Sequence, residues 1–372
     1  MAEKIHIIGA GIGGLATALC LKQQGLEVEV IESAPEIKPV GAGIVMANNA
    51  MQVFDRLGLR PKIEAAGYRV SYMRITDAEF NELSTIDLAA FEQQYGVYNV
   101  AIHRADLQGI LADELGHGQI TLGKRLVQVD QEDGYRLHFE DGTEEKAQVL
   151  IGADGIHSVV RKQLFPPSTL RDSAQVCWRG ICDVDLADRY EHTAFEAWGP
   201  GRRFGFVRLN PVQVYWYAVA DDGAESTDLL DLFRDFHPDV WEMIAAAPAA
   251  SIFFSRLYDL KPIHQWAQGK VCLIGDAAHA TTPNLGQGAC QAVEDASVLG
   301  KLFAQGLPVE EVFRQYQTLR IKKAHQVVKT SWTIGKVSHW QNRLGIGIRN
   351  FVMKNLPASV RHKQLEPLFA LD

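Results

Sequence analysis

The chain has 372 residues, 47% hydrophobic and 22% charged, with a formal net charge of −8. That length supports a large core and two domains, or one domain with a big insertion, and the composition is ordinary for a soluble globular protein. The acidic balance argues against a nucleic-acid surface, no apolar run approaches the roughly 20 residues of a membrane span, and the short apolar run from Ile5 is no signal peptide.

Residues 4–32 set the frame. Lys4-Ile5-His6-Ile7-Ile8 reads as a strand, Gly9-Ala10-Gly11-Ile12-Gly13-Gly14 as a turn, 15–21 as an apolar helix and 28–31 as a second strand ending at Glu32. Gly9, Gly11 and Gly14 fit G-x-G-x-x-G, and the acid stands 18 residues after Gly14. Between a strand and a helix, that pattern predicts a dinucleotide site that includes Ile12 and Gly13. Gly9 permits the tight turn, Gly11 lets backbone approach a pyrophosphate, and Gly14 lets helix and strand pack closely. The helix N-terminus stabilises the phosphates, and Glu32 accepts hydrogen bonds from a ribose.

A Pro/Gly-rich loop follows at 38–44, where Gly43 either brings backbone close to something flat or belongs to a plain surface loop. An amphipathic helix is predicted over 48–57, stopped by Gly58, then a strand over 69–75 and a polar hairpin to 86. Arg104 opens the next helix. The dipole disfavours a cation there, so Arg104 has an anionic partner or is simply solvated. Strands are predicted at 122–129, 135–139 and 147–151, with hairpin turns at Asp133-Gly134 and Asp141-Gly142. Gly152-Ala153-Asp154-Gly155 then repeats strand, glycine turn and helix, with Ser158 and Arg161 at fixed offsets.

Residues 172–266 are rich in Trp, Tyr and Phe, with strand-like alternation at 175–183, 194–198, 203–209 and 212–220 and one helical stretch at 229–247. The pattern predicts an antiparallel sheet inserted into the first domain. The chain then returns to a buried strand at 270–274, which runs into Gly275-Asp276-Ala277-Ala278-His279, and a helix over 289–303. A long helix to about residue 340 and a shorter basic one over 341–356 complete it. The latter is expected to pack on the domain rather than lie on a membrane surface. The expected fold class is α/β (α+β). Residues 1–70, 98–171 and 267–340 form a Rossmann-like domain, 71–97 and 172–266 a β-sheet substrate domain, and 341–372 a C-terminal helical segment. The five cysteines show no metal spacing, and we expect them reduced in a cytoplasmic protein, with no metal site.

Three strand ends each carry glycine plus an acid: Gly14 with Glu32, Gly152 with Asp154, and Gly275 with Asp276. Together with Pro283-x-x-Gly286-Gln287-Gly288 they resemble the class A FAD-dependent aromatic monooxygenases, with the p-hydroxybenzoate hydroxylase-like fold. The resemblance covers almost the whole chain. It implies FAD as cofactor, with NADPH or NADH as transient co-substrate, and O2. It implies a flavin C4a-hydroperoxide that hydroxylates a small aromatic or heteroaromatic substrate, in a monomer or homodimer. Glu32 would hold the adenosine ribose, Arg104 the phosphate region, and backbone near Leu126 the adenine. Asp276 would hold the ribityl or pyrophosphate part, its alternative reading being a helix N-cap. Leu285, Gly286, Gln287, Gly288 and Ala289 would meet the flavin, where a helix N-terminus stabilises negative charge. Asp154 belongs to a segment implicated in both FAD and nicotinamide binding.

Substrate-pocket candidates are Arg203, Phe204, Phe206, Tyr215, Trp216 and Tyr217, of which alternation puts Tyr215 and Tyr217 on one face and Trp216 on the other. Each is also readable as ordinary sheet packing, and Arg203 as an anion binder or an exposed strand arginine. Arg203 and Tyr215 resemble the bacterial urate hydroxylases and are the candidate catalytic residues. Those enzymes place an aspartate after Thr-Thr-Pro, where this chain has Asn284. Residues 283–295 resemble the zeaxanthin epoxidases. A flavin-dependent epoxidase or reductase acting on an isoprenoid or polyketide-like substrate is the alternative. His279 is read as structural.

Overall fold

A computed structural model describes residues 3–37 and 42–371. Lys38, Pro39, Val40 and Gly41 of the predicted loop lie outside the described residues.

The first sheet runs in the order Ala267–Gln268, Val271–Leu273, Val149–Gly152, Ile5–Ile8, Val28–Ile31, Ile120–Thr121. Every pairing is parallel except that of the Ala267–Gln268 edge. Ile5–Ile8 and Val149–Gly152 are buried throughout, and near-continuous apolar runs are what a parallel sheet covered on both faces requires. Helix Ile12–Gln23 and helix Gly288–Phe303 pack against each other through small residues. A methyl at Gly13 would stand 2.9 Å from Ala292 Cβ, one at Gly275 3.0 Å from it, and one at Gly300 3.1 Å from Cys20 Cβ. Ala292 thus gathers the first glycine turn and the end of the Val271–Leu273 strand at the C-terminal ends of the parallel strands.

The predicted strand at 147–151 is two strands. Glu144–Ala147 pairs with Gly134–Phe139 in a separate three-stranded sheet, and Val149–Gly152 enters the parallel sheet. The predicted 122–129 strand begins only at Leu126 and extends to Glu132.

The aromatic segment, joined by two strands from residues 72–87, forms a seven-stranded sheet in the order Phe253–Leu260, Leu170–Asp183, Gln213–Asp221, Arg202–Arg208, Thr193–Gly199, Tyr72–Asp77, Glu82–Asp87. It is antiparallel at every pairing but one: Thr193–Gly199 runs parallel to Tyr72–Asp77. A parallel pair needs a long crossover, and the intervening chain, which includes the Arg104 helix and Val149–Gly152, supplies it. One face of this sheet carries Phe195, Phe204, Phe206 and Trp216, buried against Phe233, Phe236 and Met243. The predicted helix at 229–247 is two helices, Leu229–Leu232 and Pro238–Ala246. Pro238 cannot continue a helix but suits the first position of a new one, and His237 caps it by accepting from Asp239 N–H.

The long C-terminal helix is Val309–Ser338, and the shorter one is Arg343–Asn355. A further helix, Ala358–Phe369, completes the C-terminal helical segment beyond the one helix placed in it from sequence. Pro357 precedes it and Pro367 lies inside it, so its sequence reads as broken. Packing holds it: Phe369 is buried 4.8 Å from Phe91, and His362 stacks on Phe91 at 4.0 Å.

Candidate functional site

The glycine turn after Ile5–Ile8 is fixed by sterics. Gly9 has φ +109°, and a methyl on it would stand 2.5 Å from the Ala153 carbonyl oxygen. A methyl on Gly14 would stand 2.0 Å from the Gly9 carbonyl oxygen. Gly11 is the opposite case: a methyl there would meet nothing within 4 Å, so its missing side chain leaves open space beside the turn. Helix Ile12–Gln23 begins there with no side-chain cap and no acid in its first turn, leaving N–H donors for an anion. Glu32 closes the turn. Its carboxylate accepts from Ala10 N–H and Ala34 N–H, each at 2.8 Å, and from Ser33 Oγ at 3.0 Å. A carboxylate has about four acceptor positions, so capacity remains for a ribose hydroxyl.

The second glycine motif is largely mechanical. Asp154 Oδ2 accepts from Val159 N–H at 2.7 Å and Val160 N–H at 3.2 Å, while Oδ1 is buried without a partner among the described residues. Desolvation raises the Asp154 carboxyl above the ordinary value. Ser158 caps helix Val159–Leu164. Arg161, fully buried, donates to Ala277 O at 2.8 Å, Ile156 O at 2.5 Å and Ser168 Oγ at 3.0 Å. It bolts the second motif to the third.

In the third motif Asp276 is exposed while Gly275, Ala277, Ala278 and His279 around it are buried. It is not an N-cap: Gly275 holds that position, and no side-chain cap bond is made. Surrounding protein raises the Asp276 carboxyl, and His279, Arg104 and Arg161 oppose that shift. Arg104, at the start of helix Arg104–Leu115, is exposed and has no acidic ion-pair partner among the described residues. The turn is held from behind by Asp295, which is fully buried. Its Oδ2 accepts from Gly275 N–H at 2.9 Å and lies 2.7 Å from His279 Nε2, and its Oδ1 accepts from Arg320 Nε at 2.8 Å. Arg320 also donates to Glu294 at 2.6 Å. His279 is therefore engaged structurally. Burial works against ionising Asp295, but His279 and Arg320 hold its carboxyl down at about 2.

Downstream, Gly286 has φ +62° and is exposed, Leu285, Gly288 and Ala289 are half-buried, and helix Gly288–Phe303 starts with no side-chain cap and no acid in its first turn. The Gln287 side chain turns inward, accepting from Asn49 Nδ2 at 3.0 Å and Gln291 Nε2 at 3.2 Å, so only its backbone faces this opening. Leu126 is buried, and its strand pairs with Phe139. The open side of Gly11, two uncapped helix N-termini and the unpaired Arg104 all fit a long anionic dinucleotide such as FAD.

Over the third motif stands the second face of the seven-stranded sheet. A methyl on Gly43 would stand 2.5 Å from Tyr215 Cβ, so that glycine lets the Tyr215 ring lie against strand Gly43–Met46. Tyr215 and Tyr217 have ring centroids 6.1 Å apart on this face, and Trp216 lies in the opposite core, as alternation requires. Phe204 and Phe206 also belong to that opposite core. Arg203 is not an exposed strand arginine: it is buried, with Nη1 donating to Glu196 Oε1 at 3.1 Å and Nη2 to Asn284 Oδ1. Glu196 also accepts from Tyr217 OH at 2.6 Å and Trp198 Nε1 at 2.8 Å. Desolvation, then Glu196, pushes the Tyr217 hydroxyl well above its ordinary value, so it stays a donor. Asn284 donates through Nδ2 to Thr282 Oγ1 at 3.0 Å and Ser331 O at 2.8 Å. An aspartate there would turn an acceptor onto an acceptor carbonyl.

Glu196, Asp295 and Arg320 were not among the sequence candidates. A signal for Asp295 existed: Glu294-Asp295 is an acid pair inside an otherwise largely apolar helix, which requires buried cations. Glu196 carried none, since its partners converge from other strands. Replacing Arg104 by Ala is expected to weaken FAD binding about tenfold, the scale of one charge-assisted hydrogen bond, with no change in the apoprotein's Tm. Titration of apoprotein with FAD, followed by flavin fluorescence, measures it, and an unaltered affinity would remove Arg104 from the site.

A sequence profile described as FAD binding domain matches residues 3–331. The chain is 36% identical over 358 residues to an aurachin C monooxygenase/isomerase of Stigmatella aurantiaca, spanning 94% of this chain and 93% of that protein. It is 31% identical over 376 residues to 2-heptyl-3-hydroxy-4(1H)-quinolone synthase of Pseudomonas aeruginosa, spanning 98% and 97%. Its structure is similar to that of Klebsiella pneumoniae HpxO complexed with FAD and uric acid, with a TM-score of 0.90 at 27% identity, over 98% of this chain and 96% of that one.

Proposed function

From the premise that the chain belongs to the FAD binding domain family and is an FAD-dependent flavoprotein monooxygenase, we propose that it hydroxylates a neutral bicyclic heteroaromatic of the quinolone kind, using NAD(P)H and O2. The balance is substrate C–H plus O2, NAD(P)H and a proton, giving substrate C–OH, NAD(P)+ and water. When bound, FAD would supply the redox chemistry that passes electrons from the nicotinamide to O2.

The chain's own residues do the rest. Gly9, Gly11 and Glu32 hold the adenosine and pyrophosphate end, and Arg104 and Asp276 the middle. The N-terminus of helix Gly288–Phe303 stabilises negative charge on the ring. The sheet face with Tyr215 and Tyr217 covers the reacting centre and excludes water.

One observation carries the choice of a neutral substrate: Arg203, the natural anion binder, is already paired with Glu196 and Asn284. An anionic substrate such as urate would have to break that pairing. The ring system is supported by one relative, the 2-heptyl-3-hydroxy-4(1H)-quinolone synthase aligned over 97% of its length, whose product is a quinolone.

Holoenzyme mixed under air with NADH or NADPH and a panel of 4-quinolones, phenols and urate tests this. Substrate-stimulated oxidation of the nicotinamide with quinolones is expected. Stimulation by urate alone would overturn the substrate class. Replacing Glu196 by Gln should lower kcat/KM for the neutral substrate by about 10- to 100-fold, because Arg203 is left buried and uncompensated. Steady-state kinetics with an unchanged kcat/KM would contradict that role.

A further inference from the structure

Helix Arg343–Asn355 is turned inside out. Its one buried residue is an arginine: Arg349 donates through Nη1 to Ser338 O at 2.9 Å, and its guanidinium lies 5.1 Å from the centroid of the Trp198 ring. Four of its large apolar side chains point away from the body, while Ile346 and Met353 are half-buried. Leu344 is 75% exposed, Ile348 56%, Phe351 68% and Val352 53%. These positions are spaced i, i+4, i+7 and i+8, so they form one continuous stripe. Trp340 is exposed just before the helix. A contiguous apolar face of this kind marks an interaction surface.

The charges select the partner. The chain as a whole is acidic, yet residues 312–365 contain no Asp or Glu. Of their 11 Lys and Arg, Arg320 and Arg349 are buried and Arg314 and Lys323 are paired with Glu311 and Glu294, so the cations that matter here are those beside the stripe. Arg343 and Lys354 are exposed at the two ends of the stripe. We propose that this face docks on an anionic lipid bilayer, with the helix lying in the interface plane, apolar stripe down and the two cations among the headgroups. No helix of the described residues is long and apolar enough to cross a membrane. A second copy of the chain is a poorer fit: a two-fold contact places the same patch on itself, bringing Arg343 and Lys354 of both copies together. On sequence pattern alone this helix packs on the body, and it does so through the Arg349 face. The surface is independent of the substrate, so failure of either proposal leaves the other standing.

The test is flotation of the holoenzyme with vesicles of phosphatidylcholine containing about 30% phosphatidylglycerol, against phosphatidylcholine alone. At least tenfold greater recovery with the anionic vesicles is expected, falling as salt is raised. The double variant Ile348→Asp/Phe351→Asp should fall to the level seen with neutral vesicles while keeping flavin content and Tm, since both side chains are exposed. Equal recovery of the double variant would overturn the proposal, as would absence of anionic-vesicle binding. So would a dimer, seen by light scattering, that the double variant dissolves.

Discussion

Replacing Asp295 by Ala is expected to destabilise the protein by about 3–5 kcal/mol, the cost of breaking a buried ionic cluster by removing one partner. Three groups lose their acceptor at once: Gly275 N–H, His279 and the Arg320 guanidinium. Arg320 keeps Glu294, so the charge is only partly orphaned, but the Gly275 N–H has no replacement. That peptide forms the turn that presents Asp276 and abuts Ala292. The variant should therefore lose flavin as well as stability. Denaturant unfolding of the holoprotein, with flavin content measured in parallel, checks both. The same cluster sets an acid limit. The folded-state Asp295 carboxyl is held at about 2, below the ordinary value of about 3.9. Its contribution is present above about pH 4 and lost as pH falls towards 2. Asp295→Ala should flatten that part of the stability profile, and an unchanged acid limb would contradict the assignment.

The second large effect separates fold from ligand within one motif. Gly14→Val should give protein that retains less than a tenth of the wild-type FAD. Its side chain would start 2.0 Å from the Gly9 carbonyl oxygen, so the helix must move off the strand and the turn is lost. Gly11→Ala should leave apoprotein stability within about 0.5 kcal/mol, the range of changes that touch nothing else. A methyl there meets no atom within 4 Å, and the backbone is in an ordinary extended conformation. The same methyl occupies the space beside the turn, so FAD affinity should fall at least tenfold. Calorimetry of the two apoproteins and FAD titration distinguish these outcomes. Full FAD affinity in Gly11→Ala would mean that the open side of the turn is not where the cofactor lies.

The three glycine motifs were readable because each is local: a strand, a turn and a helix N-terminus within about 20 residues, with sterics that only glycine satisfies. Gly9 and Gly14 are such positions, their Cβ space taken by Ala153 and by Gly9 itself. Alternation correctly separated Tyr215 and Tyr217 from Trp216, since period two is intrinsic to a strand. What sequence did not yield is what depends on convergence. Arg203 looked free because Glu196 lies on a neighbouring strand and Asn284 on the loop after the third motif. The split at residue 148 was hidden because the two strands join with almost no linker yet enter different sheets. Within the C-terminal helical segment, helix Ala358–Phe369 was not resolved as a separate element because prolines argue against it locally, and tertiary packing on Phe91 supports it.

The most direct test of the central claim is isotopic. Holoenzyme turning over a stimulating 4-quinolone with NAD(P)H under 18O2 should yield a product heavier by one oxygen, carrying a single 18O from the gas and none from water. Nicotinamide oxidation without a labelled product, or a label taken from water, would contradict the reading of this chain as a flavin-dependent hydroxylase of a heteroaromatic ring.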